Sequence, residues 1–234
     1  MPRIRKLGPA DLDLILTLQE QIVCGLDDKR IFQRSSPEFI SYCLHRGGRC
    51  YAIEKNGEAV AYRMIYFPRD RQFNLCVDVA LPLAERSFVA HWDTIAVLPD
   101  WRGLGFSRML NTRALEDLAD TDIRHLFATS SPHNPYGTRA LMEAGFRPIK
   151  LVVKFGGNLR FLFYRPYPGE WAGVARGEEQ KTLPISAIAE LAALFRSGWV
   201  ATGIERRREL FYLNLQNGPL PDWLETHHAD NLCR

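Results

Sequence analysis

Residues 95–107 read Ile-Ala-Val-Leu-Pro-Asp-Trp-Arg-Gly-Leu-Gly-Phe-Ser. A β-rich run ends at Val97 before a proline, and Gly103 and Gly105 follow. The next segment has apolar residues at helical spacing, at Phe106, Leu110, Ala114 and Leu118. The order predicts a strand, a glycine loop and the first turn of an amphipathic helix. The free amides and positive end of such a helix suit a phosphate or pyrophosphate, and Arg102 adds a positive charge.

Two well-known phosphate motifs are excluded at this loop. A Walker loop needs a Gly-Lys-Ser/Thr sequence, which does not follow. A dinucleotide fingerprint needs a third glycine at position 108, where the chain has Arg108. A tight turn without a ligand stays open as the plainer interpretation of the glycines.

The motifs on either side of the loop occur in a distinctive order. Val97-x-Pro99 precedes it, and a helix, a strand, Asn134 and Gly145-Phe146 follow. This order resembles the GNAT (general-control-type N-acetyltransferase) superfamily, whose pattern is Val-x-Pro, Arg/Gln-x-x-Gly-x-Gly/Ala and an Asn-led helix closing in Gly-Phe. Arg102 and Gly105 match that pattern, and Ser107 stands where Gly or Ala is usual.

The resemblance covers residues 1–165 and implies a fold for them. The fold is α+β (mixed α/β), with a central, mostly antiparallel twisted sheet flanked by helices. Pro166-Tyr167-Pro168-Gly169 marks a boundary, and residues 166–234 form a C-terminal extension. An extension of this length is small for a core of its own. We therefore expect it to pack on the first domain or to mediate a homodimer.

The strands around the loop follow from local patterns. Asn56-Gly57 predicts a two-residue hairpin between two strands. Residues 87–97 predict one continuous central strand. Its alternation places His91, Asp93 and Ile95 on one face, and Trp92, Thr94 and Ala96 on the other. The segment 73–79 is either an irregular strand or a loop.

The resemblance also implies a co-substrate, acetyl-CoA or another acyl-CoA, and no metal. Its pantetheine arm pairs with the main chain of Ile95, Ala96 and Val97. Its pyrophosphate lies on the loop and first helical turn formed by Arg102, Gly103, Leu104, Gly105, Phe106 and Ser107. Asn134 lies beside the pantetheine arm, and it is also placed to cap the helix that follows.

An attacking amine must lose a proton, and the central strand carries two candidates for the base. These are His91 and Asp93, although a histidine beside an aspartate is more often a packed pair. The family often protonates the leaving thiolate with a Tyr, but that position is Leu141 here. Tyr136 or His133 is a candidate substitute for the acid, and packing is the plainer interpretation of Tyr136.

The leading hypothesis is an acyl-CoA-dependent N-acyltransferase, most simply an acetyltransferase, in which a small-molecule or peptide amine attacks directly within a ternary complex. The alternative is a catalytically weak acyl-CoA-binding or sensor module. The net charge of +3 over 234 residues is too mild for a nucleic-acid partner. Five cysteines without a Cys-x-x-Cys motif, and no secretion signal or apolar membrane span, favour a reduced, cytoplasmic protein.

Overall fold

The structure is a computed structural model that describes residues 2–69, 71, 73–169, 171 and 179–217. Contacts along the chain group into two compact units. The first comprises Met1–Pro68 and Ala90–Asp122, and the second Arg69–Val89 and Ile123–Arg234. The strand pairs described below are antiparallel, and the helices pack on the sheets. The expected α+β fold is confirmed.

The first unit is built on three strands, β1 (Arg3–Leu7), β2 (Gly48–Lys55) and β3 (Glu58–Tyr66), paired in that order. The β2–β3 connection is the predicted two-residue hairpin. Asn56 has φ 54° and Gly57 has φ 86°, which is the positive pair that such a turn requires.

The predicted continuous strand over 87–97 is wrong, because the structure divides it into β4 (Val89–His91) and β5 (Ile95–Val97). Both pieces pair with β3, but His91 pairs with Tyr66 and Ile95 with Arg63. The four steps from His91 to Ile95 therefore lie opposite only three steps on β3, from Tyr66 to Arg63. The extra residue makes a β-bulge over 92–94, which breaks the alternation of side chains.

The helices of the first unit cover opposite faces of its sheet. Helices α1 (Leu12–Cys24) and α2 (Pro37–Tyr42) share a core with Tyr62 and Ala96. Helix α3 (Phe106–Asp117) reaches the other face, where Asn111 accepts a hydrogen bond from Arg63. Neighbouring residues of a strand point to opposite faces, so α3 lies across the sheet from α1.

The bulge corrects the predicted faces of the central strand. Trp92 lies on the α3 side, since its Nε1 donates to Asn111 Oδ1 at 3.0 Å. Ala96 lies in the core on the α1 side. Uninterrupted alternation had placed the two on one face, and the inserted residue puts them on opposite faces.

The second unit contains β6 (His125–Ser130), α4 (Pro135–Glu143), β7 (Arg147–Lys154) and β8 (Asn158–Pro166), with strand order β6-β8-β7. A 3-10 turn, Leu75–Val79, packs on this sheet through Leu75, Cys76 and Val79. The interpretation of 73–79 as an irregular strand is therefore wrong, and the loop alternative holds in the form of a helical turn.

The extension contributes a second sheet. Its elements are β9 (Gln180–Pro184), α5 (Ile188–Arg196), β10 (Trp199–Arg207) and β11 (Leu210–Asn217), and its strand order is β10-β11-β9. Val200 shares a core with Phe127 of β6 and Leu162 of β8. Phe195 meets Phe161 edge-on at 6.2 Å between ring centroids. The described part of the extension thus packs on these strands, while the division into domains 1–165 and 166–234 stays a prediction.

One negative finding concerns membranes. Within the described ranges, no helix has both the length and the apolar character needed to cross a bilayer.

Candidate functional site

The loop between β5 and α3 has the geometry that the glycines predict. Gly103 and Gly105 both have φ 77°, a left-handed conformation that L side chains rarely adopt. A Cβ on Gly103 would meet nothing within 4 Å, and one on Gly105 would come no closer than 3.8 Å to Arg108. The glycines are therefore required by backbone conformation, and the space in front of them is open.

The first turn of α3 is suited to an anion. Gly105 is its N-cap and supplies no capping side chain, so the first amides of the helix keep their donors. Among the residues described for this turn, none is acidic. The exposed Arg102 is oriented by a hydrogen bond that its Nε donates to the carbonyl oxygen of Val97, at 3.2 Å. The donors and charge here fit a pyrophosphate.

The predicted catalytic residue His91 lies at the end of β4, deep in the first unit. It is 1% exposed, and its ring meets Tyr66 edge-on at 5.1 Å between centroids. Tyr66 in turn contacts Phe39 and Tyr42 of α2. His91 is thus one member of an aromatic cluster on the α2 side of the sheet.

Asp93 lies in the bulge itself and is half-buried. Burial raises the pKa of its carboxyl group above the ordinary value. Hydrogen bonds from the hydroxyl and the amide of Thr94, and the charge of Arg63, oppose that rise. The hydroxyl bond is 2.9 Å long and reaches Oδ1. A carboxylate with a raised pKa is a better proton acceptor than an ordinary aspartate.

Two polar side chains on the α1 face, Cys50 and Tyr62, interact electrostatically with Asp93. Burial, and then the charge of Asp93, raise the pKa of Cys50 to about 12, and they raise the pKa of Tyr62 as well. The Tyr62 hydroxyl is buried and has no hydrogen-bond partner among the described residues. Both groups are therefore neutral near pH 7, and Asp93 is the one of these three acidic groups that ionises.

A buried arginine lies on the opposite face of β3. Arg63 is 0% exposed, and its Nη2 donates to Asn111 Oδ1 at 2.6 Å. Its guanidinium carbon lies 4.3 Å from the centroid of the Trp92 ring. Its Nε and Nη1 find no acceptor among the described residues. Burial lowers the pKa of Arg63 well below its usual value, and the charge of Asp93 acts against that shift.

Two more of the predicted residues belong to the second unit. Asn134 caps α4, because its Oδ1 accepts from the amide of Gly137 at 2.9 Å. Tyr136 is 65% exposed and packs edge-on against Phe211 of the extension, 5.2 Å between centroids. Leu141, at the position of the family's Tyr, is buried.

Sequence reasoning missed Arg63, Tyr62 and Asn111. One signal for Arg63 was present, because an arginine among the apolar residues of a strand is unusual.

In the parts of the chain that are described, no three His, Cys, Asp or Glu side chains are grouped to hold a metal ion.

Comparison with known proteins gives the same fold. No curated protein matches the chain. NAA60 of Arabidopsis thaliana, solved with acetyl-CoA, superposes with TM-score 0.55 at 16% identity, over 72% of this chain and 100% of that one. The aminoglycoside acetyltransferase AAC(6')-Ib, solved with coenzyme A and kanamycin, gives TM-score 0.53 at 17% identity, over 71% and 95%. The ribosomal-protein-S18-alanine N-acetyltransferase of Escherichia coli gives TM-score 0.53 at 16% identity, over 74% and 97%.

The family assignment rests on the sequence as well as on the fold. The model of the acetyltransferase (GNAT) family matches residues 20–146, which is more than half of the chain. The matched range contains the bulge, the glycine loop, α3 and α4. The chain belongs to the GNAT acetyltransferase family.

Proposed function

We propose that the protein is an acyl-CoA-dependent N-acetyltransferase in which an amine attacks the thioester directly within a ternary complex. The observation that carries the proposal is the start of α3, where uncapped amides follow two left-handed glycines beside Arg102. Acyl-CoA supplies an activated acyl group as a thioester. The amides of residues 105–107 and the guanidinium of Arg102 would hold its pyrophosphate.

The bulge supplies the rest of the chemistry in this proposal. Residues 92–94 lie outside the regular strand pairing, and a backbone amide of this segment is proposed to stabilise the negative charge that develops on the acyl oxygen. Asp93 takes the proton of the acceptor amine. Its raised pKa favours that role, and its side chain is not fully buried.

His91 and Tyr136 stay proposals of second rank. The packing of His91 on Tyr66 and of Tyr136 on Phe211 supports structural roles for both. A thiolate is a good leaving group, so the step does not require a dedicated acid. Asn134 is proposed beside the pantetheine arm in addition to its role as a cap.

The acceptor is proposed as a small-molecule or peptide amine, with its identity and the length of the acyl chain open. Kanamycin accompanies coenzyme A in AAC(6')-Ib, and a bisubstrate analogue is bound in a second structure of NAA60. Both kinds of acceptor are therefore worth assaying. A cytoplasmic location and a homodimer formed through the extension remain predictions.

A second candidate function is a catalytically weak acyl-CoA-binding or sensor module. The specific observation in its favour is Leu141, a buried apolar side chain where the family often has the acid. Turnover separates the two candidates, because a sensor binds acyl-CoA without releasing thiol.

The test measures thiol release from acetyl-CoA with a panel of small amines and peptides. The double variant Arg102→Glu with Gly105→Asp places negative charge at the start of α3. We expect it to lower acetyl-CoA affinity about tenfold or more, because each hydrogen bond to a charged group contributes about 1.5–3 kcal/mol. The control is Arg30→Glu with Thr112→Asp, which makes the same charge change at exposed positions away from the loop.

Three outcomes are distinguishable. Amine-dependent release by the wild type and the control, lost in the folded loop variant, would support the enzyme. Tight binding without release for any amine would favour the sensor. The absence of binding by calorimetry at millimolar acetyl-CoA would contradict both.

A further inference from the structure

Arg63 is a buried charge with no contacting counter-ion in the described part of the chain. Burying an unpaired guanidinium is costly, and buried charges in proteins are usually paired. Among the described residues, only Nη2 has a hydrogen-bond acceptor, and that acceptor, Asn111, is neutral. The Trp92 ring under the guanidinium stabilises the cation only in part. The charge is therefore compensated from further away.

The bulge brings one carboxylate close to this cation. Arg63 pairs with Ile95 across the β3–β5 ladder, and the amide of Met64 donates to the carbonyl oxygen of Thr94 at 2.8 Å. Arg63 is thus one strand away from the segment that carries Asp93. No hydrogen bond or ion pair joins the two side chains among the described residues. Arg63 points to the α3 side, while Asp93 interacts with Tyr62 and Cys50 of the other face.

We infer that Arg63 is a positioning residue for acyl transfer: its buried guanidinium supplies, from across the sheet, a countercharge that favours the ionised form of Asp93, while the lack of contact keeps its N–H groups off the carboxylate that the acceptor amine must reach. The inference rests on the proposed function. A contacting arginine would also keep the carboxylate charged, but its N–H groups would occupy the oxygens that must receive a proton.

The other groups around Asp93 do not replace this charge. Thr94 donates hydrogen bonds but carries no charge. Tyr62 of β3 and Cys50 of β2 have raised pKa values and are neutral at the pH of interest. Tyr51, which also interacts with Arg63, donates its hydroxyl to Asp117 and has a raised pKa. Among the described residues, Arg63 is therefore the cation whose charge favours the ionised form of Asp93, in addition to the hydrogen bonds from Thr94.

The test compares Arg63→Met, which keeps much of the volume and removes the charge, with Arg63→Lys, which keeps a charge. Replacing a buried ion by a well-packed apolar residue is often tolerated, so the methionine variant is expected to fold. The control is Arg160→Met, which removes a buried guanidinium from the other compact unit. The readouts are the pH profile of kcat/KM with one acceptor and the carbon-13 NMR titration of the Asp93 carboxyl.

For Arg63→Met we expect the acidic limb of kcat/KM and the Asp93 titration to move to higher pH. At a fixed pH on that limb, kcat/KM should fall about three- to tenfold, with the alkaline plateau changed much less. Arg63→Lys should recover most of the shift, and Arg160→Met should leave both curves in place. A purely structural role for Arg63 would lower the plateau without moving the limb.

The two readouts separate this inference from the proposed function. An unmoved NMR titration in Arg63→Met overturns the inference even if the wild type transfers acetyl groups. A moved titration in a protein that transfers nothing to any amine supports the electrostatic coupling and contradicts the enzyme. Equal shifts in Arg63→Met and Arg160→Met would also overturn the inference, because they would reflect general loosening.

Discussion

At the scale of single residues, the candidate site depends on the balance of forces on Asp93. Burial raises the pKa of the carboxyl, and Thr94 and Arg63 lower it. The contribution of Thr94 is local, through a 2.9 Å bond from its hydroxyl. Hydrogen bonds to the charged form of a group favour that form. Substituting Thr94, which contacts the carboxylate, is therefore a direct way to change the pKa of Asp93.

Thr94→Val removes the hydroxyl and keeps the shape of the side chain. The pKa of Asp93 should rise, so the ionised base is lost at a higher pH as the solution is acidified. We expect kcat/KM on the acidic limb to fall about three- to tenfold at a fixed pH. Stopped assays across the pH range check this. Thr94→Ser should restore the wild-type limb, and an unchanged limb in the valine variant would count against Asp93 as the base.

The sequence predicted Asp93 and His91 but not what surrounds them. Their positions on the strand follow from counting back from the loop, which a sequence allows. The burial of Arg63 depends on α3 crossing the sheet so that Asn111 meets the guanidinium. Such a contact between residues far apart in the chain is set by tertiary packing, and single-sequence periodicity does not report it.

At the scale of elements, local signals predicted well. Asn56-Gly57 gives the hairpin, and Gly105 precedes a helix whose four predicted core positions are all buried. The bulge was not predictable, because alternation cannot reveal one inserted residue when both phases contain apolar side chains. The glycine loop was predictable, because its backbone conformation excludes most other residues.

The start of α4 offers a test at this scale. Asn134→Ala removes the acceptor of the Gly137 amide and should lower the free energy of unfolding by about 1 kcal/mol. Asn134→Asp keeps an acceptor oxygen and should retain the stability. Urea denaturation followed by circular dichroism measures both. Equal losses in the two variants would mean that the amide group, and not the cap, stabilises the region.

At the scale of the whole molecule, the extension was the least predictable part. Its helix and two of its strands have clear patterns, but β9 has none that the sequence shows. What the sequence does not reveal is that Val200 joins the core formed by β6 and β8. The described extension therefore shares a hydrophobic core with β6 and β8, and we expect it to contribute to the free energy of unfolding.

Phe195→Ala tests that expectation. The side chain is 1% exposed and meets Phe161 edge-on, so its truncation leaves a cavity. The expected loss is about 3–5 kcal/mol in the free energy of unfolding. Arg196→Ala, at an exposed position of the same helix, should change it by less than about 0.5 kcal/mol. Thermal and urea unfolding compare the two, and similar small losses would show that the extension contributes little.

The bulge over 92–94 also limits which sequence changes this segment tolerates in evolution. Losing one residue there would leave Ile95 opposite Arg63 and His91 opposite Tyr66, but it would close the bulge and draw the segment that carries Asp93 into the regular ladder. The proposed site would then lose the backbone amides and the side chain that the bulge holds outside the strand pairing. Evolution can therefore exchange side chains in this segment more freely than it can change the number of residues. Among descendants of this gene, insertions and deletions between His91 and Ile95 should be rarer than substitutions.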